Sequence, residues 1–137
     1  MKLKLFFIVL LISLFSCEKN KVEDFLSRSW IIKSINYNNQ EQKYGGSLFL
    51  VNMISFEADH TCILPSIIGN VNFNDDYGEW ELYQKNNKYY LRLFNCVESF
   101  YNDIFELQII NDSTVKELII VSAKKKLKIR CLGIDMI

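Results

Sequence analysis

The sequence predicts an all-β domain, an eight-stranded antiparallel up-and-down β-barrel, and three observations predict it. Aromatic and β-branched residues are abundant, and apolar and polar residues alternate with a period of two in several short segments, as half-buried strands require. Those segments are joined by brief turns rich in asparagine, aspartate and lysine, so neighbours in sequence become neighbours in space. No crossover helix is evident between them, which disfavours parallel pairing. A flat sheet of this length would leave two open edges and an apolar face in water, and closure removes both. A β-sandwich is the alternative architecture.

The elements follow in order. Residues 28–37 form a first strand with Trp30, Ile32 and Ile35 as its apolar members, running into the polar turn Asn38-Asn39-Gln40. Residues 44–50, with Gly45 and Gly46, read equally as loop or strand. Residues 51–58 make the second strand, with Phe56 and either Met53 or Ile54 inward, and Asp59-His60 turns it into 61–68. Pro65 has no N–H to give a ladder, so it marks an edge, a bulge or an early end there. Residues 69–76 are a loop of asparagine and aspartate. In 77–84, Trp80 and Leu82 oppose Glu79, Glu81 and Tyr83; after Lys85-Asn86-Asn87-Lys88, Tyr89, Leu91 and Leu93 oppose Tyr90, Arg92 and Phe94. In 100–110, Phe105, Leu107 and Ile109 oppose Glu106 and Gln108. Residues 114–122 follow, and in 126–131 Leu127, Ile129 and Cys131 alternate with Lys128 and Arg130. Closure requires the first strand to pair with the last, with Trp30 reaching Leu127 or Ile129, and Trp80 and Leu82 sharing one enclosed space.

The start of the chain sets its address. Lys2 and Lys4 precede an unbroken apolar run over residues 5–12, and Leu14-Phe15-Ser16-Cys17 ends it. A basic end, a short apolar stretch and a small residue before the expected cleavage point describe an export signal, and the run is shorter than the roughly 20 residues needed to span a bilayer. The ending resembles a bacterial lipobox. That resemblance implies that residues 1–16 are a lipoprotein signal peptide, that Cys17 is lipidated, and that residues 17–25 are a polar tether ahead of a barrel domain over 26–137. It also implies a membrane partner through the lipid anchor and a place in the bacterial cell envelope at the outer membrane. Lys19 partly matches a short charged signal for the outer face, which leaves periplasmic and surface-facing orientations both open.

With residues 1–16 removed, 121 of 137 remain, carrying 14 basic and 16 acidic residues once Lys2 and Lys4 are gone. One domain and a near-neutral, mixed-sign surface follow, and nothing in it is built for nucleic acid. Of four cysteines, Cys62, Cys96 and Cys131 remain after Cys17 is acylated. They allow at most one disulfide, and small buried hydrophobes is the expected role.

The segments 26–30, 54–61, 78–82 and 118–130, in that order and spacing, resemble the lipocalin-like domain of small bacterial lipoproteins. In that pattern a first-strand tryptophan closes one end of the barrel and a basic side chain near the last strand lies across it. Trp30 matches the first role, and Arg130, or Lys128, the second; Trp30 is equally well read as a plain core residue.

No enzyme is expected. A nucleophile needs a base and an orienting group within reach, and the sole histidine, His60, sits in a turn beside Asp59. Glu79 and Glu81 share a strand face but point outward. Asp75 and Asp76 with Asn70, Asn72 and Asn74 lack calcium-loop spacing, and no cysteine pair has metal-ligand spacing, so no cofactor or metal is expected. The aromatic residues Phe56, Trp80, Tyr89 and Phe105, inward on separate strands, are the candidate lining for a small apolar or amphipathic ligand; they would serve a filled core equally. The functional expectation is a lipid-anchored barrel that binds such a ligand, or a packed barrel that displays its loops to another envelope component.

Overall fold

The computed structural model describes residues 19–43, 53–65 and 76–133. A short helix over residues 19–26 leads into β1 (Ser29–Tyr37), β2 (Gln40–Lys43), β3 (Met53–Phe56), β4 (Thr61–Leu64), β5 (Asp76–Lys85), β6 (Lys88–Phe94), β7 (Asp103–Asn111), β8 (Lys116–Ser122) and β9 (Leu127–Gly133). All neighbours pair antiparallel, and β1 also pairs with β9, from Trp30 opposite Gly133 to Tyr37 opposite Leu127. The sheet therefore closes, and the sandwich is excluded: its first and last strands lie in one ladder.

Among the described residues, nine strands make eight staves. On the edge of β1 away from β9, β2 covers Ser34–Tyr37 and β3 covers Ser29–Ile31, so the two together occupy one position in the barrel wall. The sequence pattern puts Gln40 in the turn and assigns 41–43 to no element; the structure makes Gln40–Lys43 a strand. Asn38 and Asn39 both take positive φ, 52° and 64°, the two-residue primed turn whose twist matches antiparallel strands, so the chain reverses at once and pairs. Asn86 and Asn87 repeat the device, at 51° and 58°, between β5 and β6.

The first strand's apolar residues break the period of two: Trp30, Ile32 and Ile35 are all buried. A bulge reconciles them. Ile32 lies opposite Cys131 and Ser34 opposite Arg130, so Lys33 is the extra residue and the strand's inward phase shifts by one. On the later strands the alternation buries Trp80 and Leu82 on β5, Leu91 and Leu93 on β6, Phe105 and Leu107 on β7, Leu118 and Ile120 on β8, and Leu127, Ile129 and Cys131 on β9, while β3 buries Ile54, Ser55 and Phe56 in succession and β8 also buries Glu117.

Three expectations change. Trp30 faces Gly133, while Leu127 and Ile129 sit opposite Tyr37 and Ile35 near the other end of β1; the bulge and barrel stagger set that register, which composition does not reveal. Residues 19–24, expected in a polar tether, are helical. The strand expected over 100–110 begins only at Asp103. β4 stops at Leu64, the early end that Pro65 marks. Residues 44–50 and 69–75 lie outside the described residues.

Gly133 has the tightest place in this closure. A Cβ there would stand 3.1 Å from Lys116 Cβ and 3.2 Å from the Trp30 ring. Gly133→Ala should therefore lower stability by about 1–3 kcal/mol through overpacking, read from the urea midpoint; an unchanged midpoint would show that the seam has room.

Candidate functional site

The strands place two clusters of polar and aromatic side chains at opposite ends of the barrel. At the end where β1 begins, the helix over residues 19–26 lies against the opening, with Phe25 and Leu26 buried. The last carbonyls of a helix have no intrahelical donor, and a buried indole N–H needs an acceptor. Each meets the other's need, as Trp30 Nε1 donates to the Leu26 carbonyl at 3.0 Å. Phe25 tilts against the Trp30 ring at 5.2 Å, and the Arg28 guanidinium lies 5.1 Å from the Phe25 centroid and 5.9 Å from that of Trp30.

The hairpin between β3 and β4 covers the same end. Trp80 Nε1 donates to the Glu57 carbonyl at 3.1 Å, and the Trp80 ring meets Phe56 edge-on at 5.5 Å. His60, held at φ 70°, stacks on Trp80 at 4.9 Å and brings Nε2 to 3.2 Å from Glu23 Oε1 on the helix. Asp59 sets up this turn by accepting from the Thr61 N–H at 3.0 Å and from its hydroxyl at 2.6 Å. Those bonds hold its carboxyl below the ordinary range. His60 is thus a clamp between hairpin and helix.

At the other end, residues 95–102 fold across the opening. The Asp76 carboxylate, buried, accepts from the N–H groups of Val97 and Glu98, both at 2.8 Å. Asn102 pinches the segment shut, accepting from the Cys96 N–H at 2.8 Å and donating to its carbonyl at 3.0 Å. Tyr101 is buried and donates to the Pro65 carbonyl. Phe100 meets Tyr37 edge-on at 5.5 Å. Lys125 extends over the Phe100 and Phe105 rings, 5.0 and 5.9 Å from their centroids, donates to the Phe100 carbonyl and lies 3.5 Å from the Asp103 carboxylate.

These positions sort the predicted site residues. Trp30 does sit at a closed end, but the cation on its ring is Arg28. Arg130 points outward, 57% exposed, and pairs with Glu117, which is 6% exposed beneath it. The reason is the period of two: with Leu127, Ile129 and Cys131 inward, Arg130 must face out. A basic residue does lie across an end, and it is Lys125 at the end opposite Trp30. Of the four candidate ligand-lining rings, Phe56, Trp80 and Phe105 are buried in one core and Tyr89 is packed against it; Phe56 and Trp80 meet edge-on, and Lys125 lies over Phe105. Cys17 lies outside the described residues.

Glu79 accepts from Asn95 at 2.7 Å and Glu81 pairs with Arg92 at 2.9 Å, so the two carboxylates are engaged separately. Asp76, read from sequence as part of an oxygen-rich loop, spends both oxygens on backbone N–H groups. Its part was not visible in a run where Asp75 precedes it, nor was that of Lys125 among three successive lysines. The Trp80–His60 contact joins residues twenty apart, with no spacing signal to announce it.

Cys62, Cys96 and Cys131 are free thiols and all buried. Burial pushes Cys62 and Cys131 up to about 12 and Cys96 up to about 11; the Cys96 thiol adds to the shift at Cys62, Asp76 to that at Cys96, and Glu117 to that at Cys131. Compared with family models, curated proteins and solved structures, the chain matches none.

Two outcomes follow. Trp80→Ala removes a fully buried ring and should cost ~3–5 kcal/mol, measured by denaturant unfolding; a much smaller loss would mean that the ring borders open volume. The thiols add an alkaline limit. An unfolded thiol ionises near 9.0 and these resist ionising until about 11 or 12. Between those values the unfolded chain holds fewer protons, so stability falls as pH rises. The drop in urea midpoint between pH about 8 and about 10.5 should be smaller in Cys131→Ala than in the wild type; an equal drop would count against the buried thiol as its source.

Proposed function

We propose that this chain is an exported, lipid-anchored protein of the bacterial cell envelope. Its barrel is a packed scaffold that presents its covered ends to another envelope component. One observation carries the choice of scaffold over carrier: Trp80, the largest ring that would line a ligand cavity, is spent on neighbouring rings and on one of the protein's own carbonyls. Trp80 is held between Phe56 and His60, with its N–H on Glu57. A ligand pocket is usually largely preformed and apolar, with a few free polar groups aimed inward. Here the helix over residues 19–26 and the segment 95–102 cover the two openings.

The address rests on residues 1–17, with their basic start, apolar run and terminal cysteine, and on the likeness to lipocalin-like envelope lipoproteins. The display role is supported by large apolar side chains left in solvent beside the 95–102 segment. Val97 is 84% exposed and Tyr77 61%, next to the Asp76 carboxylate that holds Val97 in place.

The wild type should incorporate a labelled fatty acid and sediment with membranes, and Cys17→Ala should do neither; an unlabelled wild type would remove the anchor. A photo-crosslinker at Val97, introduced in living cells, should give one discrete adduct that the same probe at Lys128 does not give. Native mass spectrometry should show the released protein without bound lipid, and a stoichiometric apolar ligand would overturn the scaffold reading in favour of a carrier.

A further inference from the structure

Cys62, Gly78 and Cys96 form one inward-facing group near the 95–102 segment. Cys62 on β4 lies directly opposite Gly78 on β5. Paired residues in an antiparallel ladder hold their Cβ atoms about 4.5–5.5 Å apart, so a side chain at position 78 would lie beside that of Cys62. Glycine leaves that place empty, and the Cys96 sulfur fills it. A Cβ built on Gly78 would stand 2.3 Å from Cys96 Sγ and 3.3 Å from its Cα. Cys96 thus takes the position of a cross-strand partner to Cys62, although it belongs to neither strand of that ladder. Each thiol influences the ionisation of the other, and Cys96 Sγ lies 3.6 Å from the Phe94 carbonyl.

We propose that Cys62 and Cys96 are a redox pair, and that their oxidation to a disulfide locks the 95–102 segment over the end of the barrel. The oxidant is a disulfide, either a small-molecule one or that of a thiol oxidoreductase. One thiol loses its proton and attacks a sulfur of the oxidant, giving a mixed disulfide and releasing one thiol. The second protein thiol, on losing its proton, displaces the other half of the oxidant, so that two protons and two electrons leave the protein and two thiols form. Cys96 reacts first, since it is the more exposed of the two, 7% against 1%, and lies on the segment that must open. Both thiols resist ionisation in the closed barrel, so the bond forms while the segment is open, during folding or transient release.

That the pair meets such an oxidant in the cell rests on the export reading, since oxidising compartments lie outside the cytosol. The chemistry of the pair does not, and the test separates them. Full-length protein purified under reducing conditions is incubated with oxidised glutathione, with enough urea to open the segment, then alkylated and digested with trypsin without reduction. Trypsin leaves Cys62, Cys96 and Cys131 on three different peptides, because Lys85 and Arg92 separate the first two and Arg130 precedes the third. The expected product is a single linked peptide pair containing Cys62 and Cys96, lighter by two hydrogens than its parts. The oxidised protein should also unfold at higher urea than the reduced protein, and that gap should vanish in Cys96→Ala and persist in Cys131→Ala. Alkylated Cys62 and Cys96, a persistent glutathione adduct, or linkage to Cys131 would overturn the proposal. Alkylation of the pair directly in cells then reports the compartment: a pair that links in vitro and is fully reduced in cells would count against export alone.

Discussion

The ladder between β1 and β9 is the constraint on which the rest of the molecule depends. It joins residues that are about a hundred positions apart in sequence, Trp30 and Gly133 among them, and it closes the sheet on itself, leaving β2, paired with β1 alone, as the one described strand with an open edge. With the wall closed, its strands have one face enclosed and one in water, which is what makes a period of two the prevailing pattern. The pairing also dictates a local irregularity. Trp30 and Ile35 can both point inward only because Lys33 is bulged out, so β1 is bent where it meets its distant partner. A fold whose defining contact is that remote must close a long loop before the contact rewards it, and such topologies fold slowly.

Closing the wall leaves two open ends, and polar chemistry closes those. Each of the two tryptophans buries a large ring, and each also carries an N–H that needs an acceptor in a place where water is scarce. Both find a carbonyl on a covering element: Leu26 on the helix for Trp30, Glu57 in the hairpin for Trp80. The covers are in this way bonded to the core they cover. At the far end the roles reverse, and a buried carboxylate, Asp76, satisfies the backbone of the covering segment. Leaving either kind of group unpaired costs about 1–3 kcal/mol, so each cover is held by several such bonds besides apolar contact.

The same economy bears on function. A barrel of eight strands encloses a space that side chains can just fill, and here Trp30, Phe56, Trp80, Tyr101 and Phe105 are all buried. What remains outside is a wall of separate ion pairs, such as Arg92 with Glu81 and Lys88 with Glu106, and a covered end bearing Val97 and Tyr77 in solvent. Exposed ion pairs add little stability; they keep the outer wall wet while the end segment carries the apolar surface. The glycine at position 78 belongs to this arrangement too, because its missing side chain lets the covering segment bring a sulfur into the wall.

By itself the sequence determined the class of fold and the face of nearly every strand. Alternation is local: Glu79–Trp80–Glu81–Leu82 or Leu127–Lys128–Ile129–Arg130 states its own inside and outside, and paired asparagines state the turns. The same alternation turns Arg130 outward, against the place across the barrel end that the resemblance implied for it. Tertiary structure alone decided the register of β1 on β9, the split of one stave into β2 and β3, and the identity of the residues at the two ends. Those groupings, His60 with Glu23, Arg28 with Phe25 and Trp30, Lys125 with Phe100 and Asp103, and Cys62 with Cys96, each include a side chain from a turn or a loop. No periodicity governs a turn, so their partners are chosen by where closure of the barrel carries them, and that is a property of the whole chain.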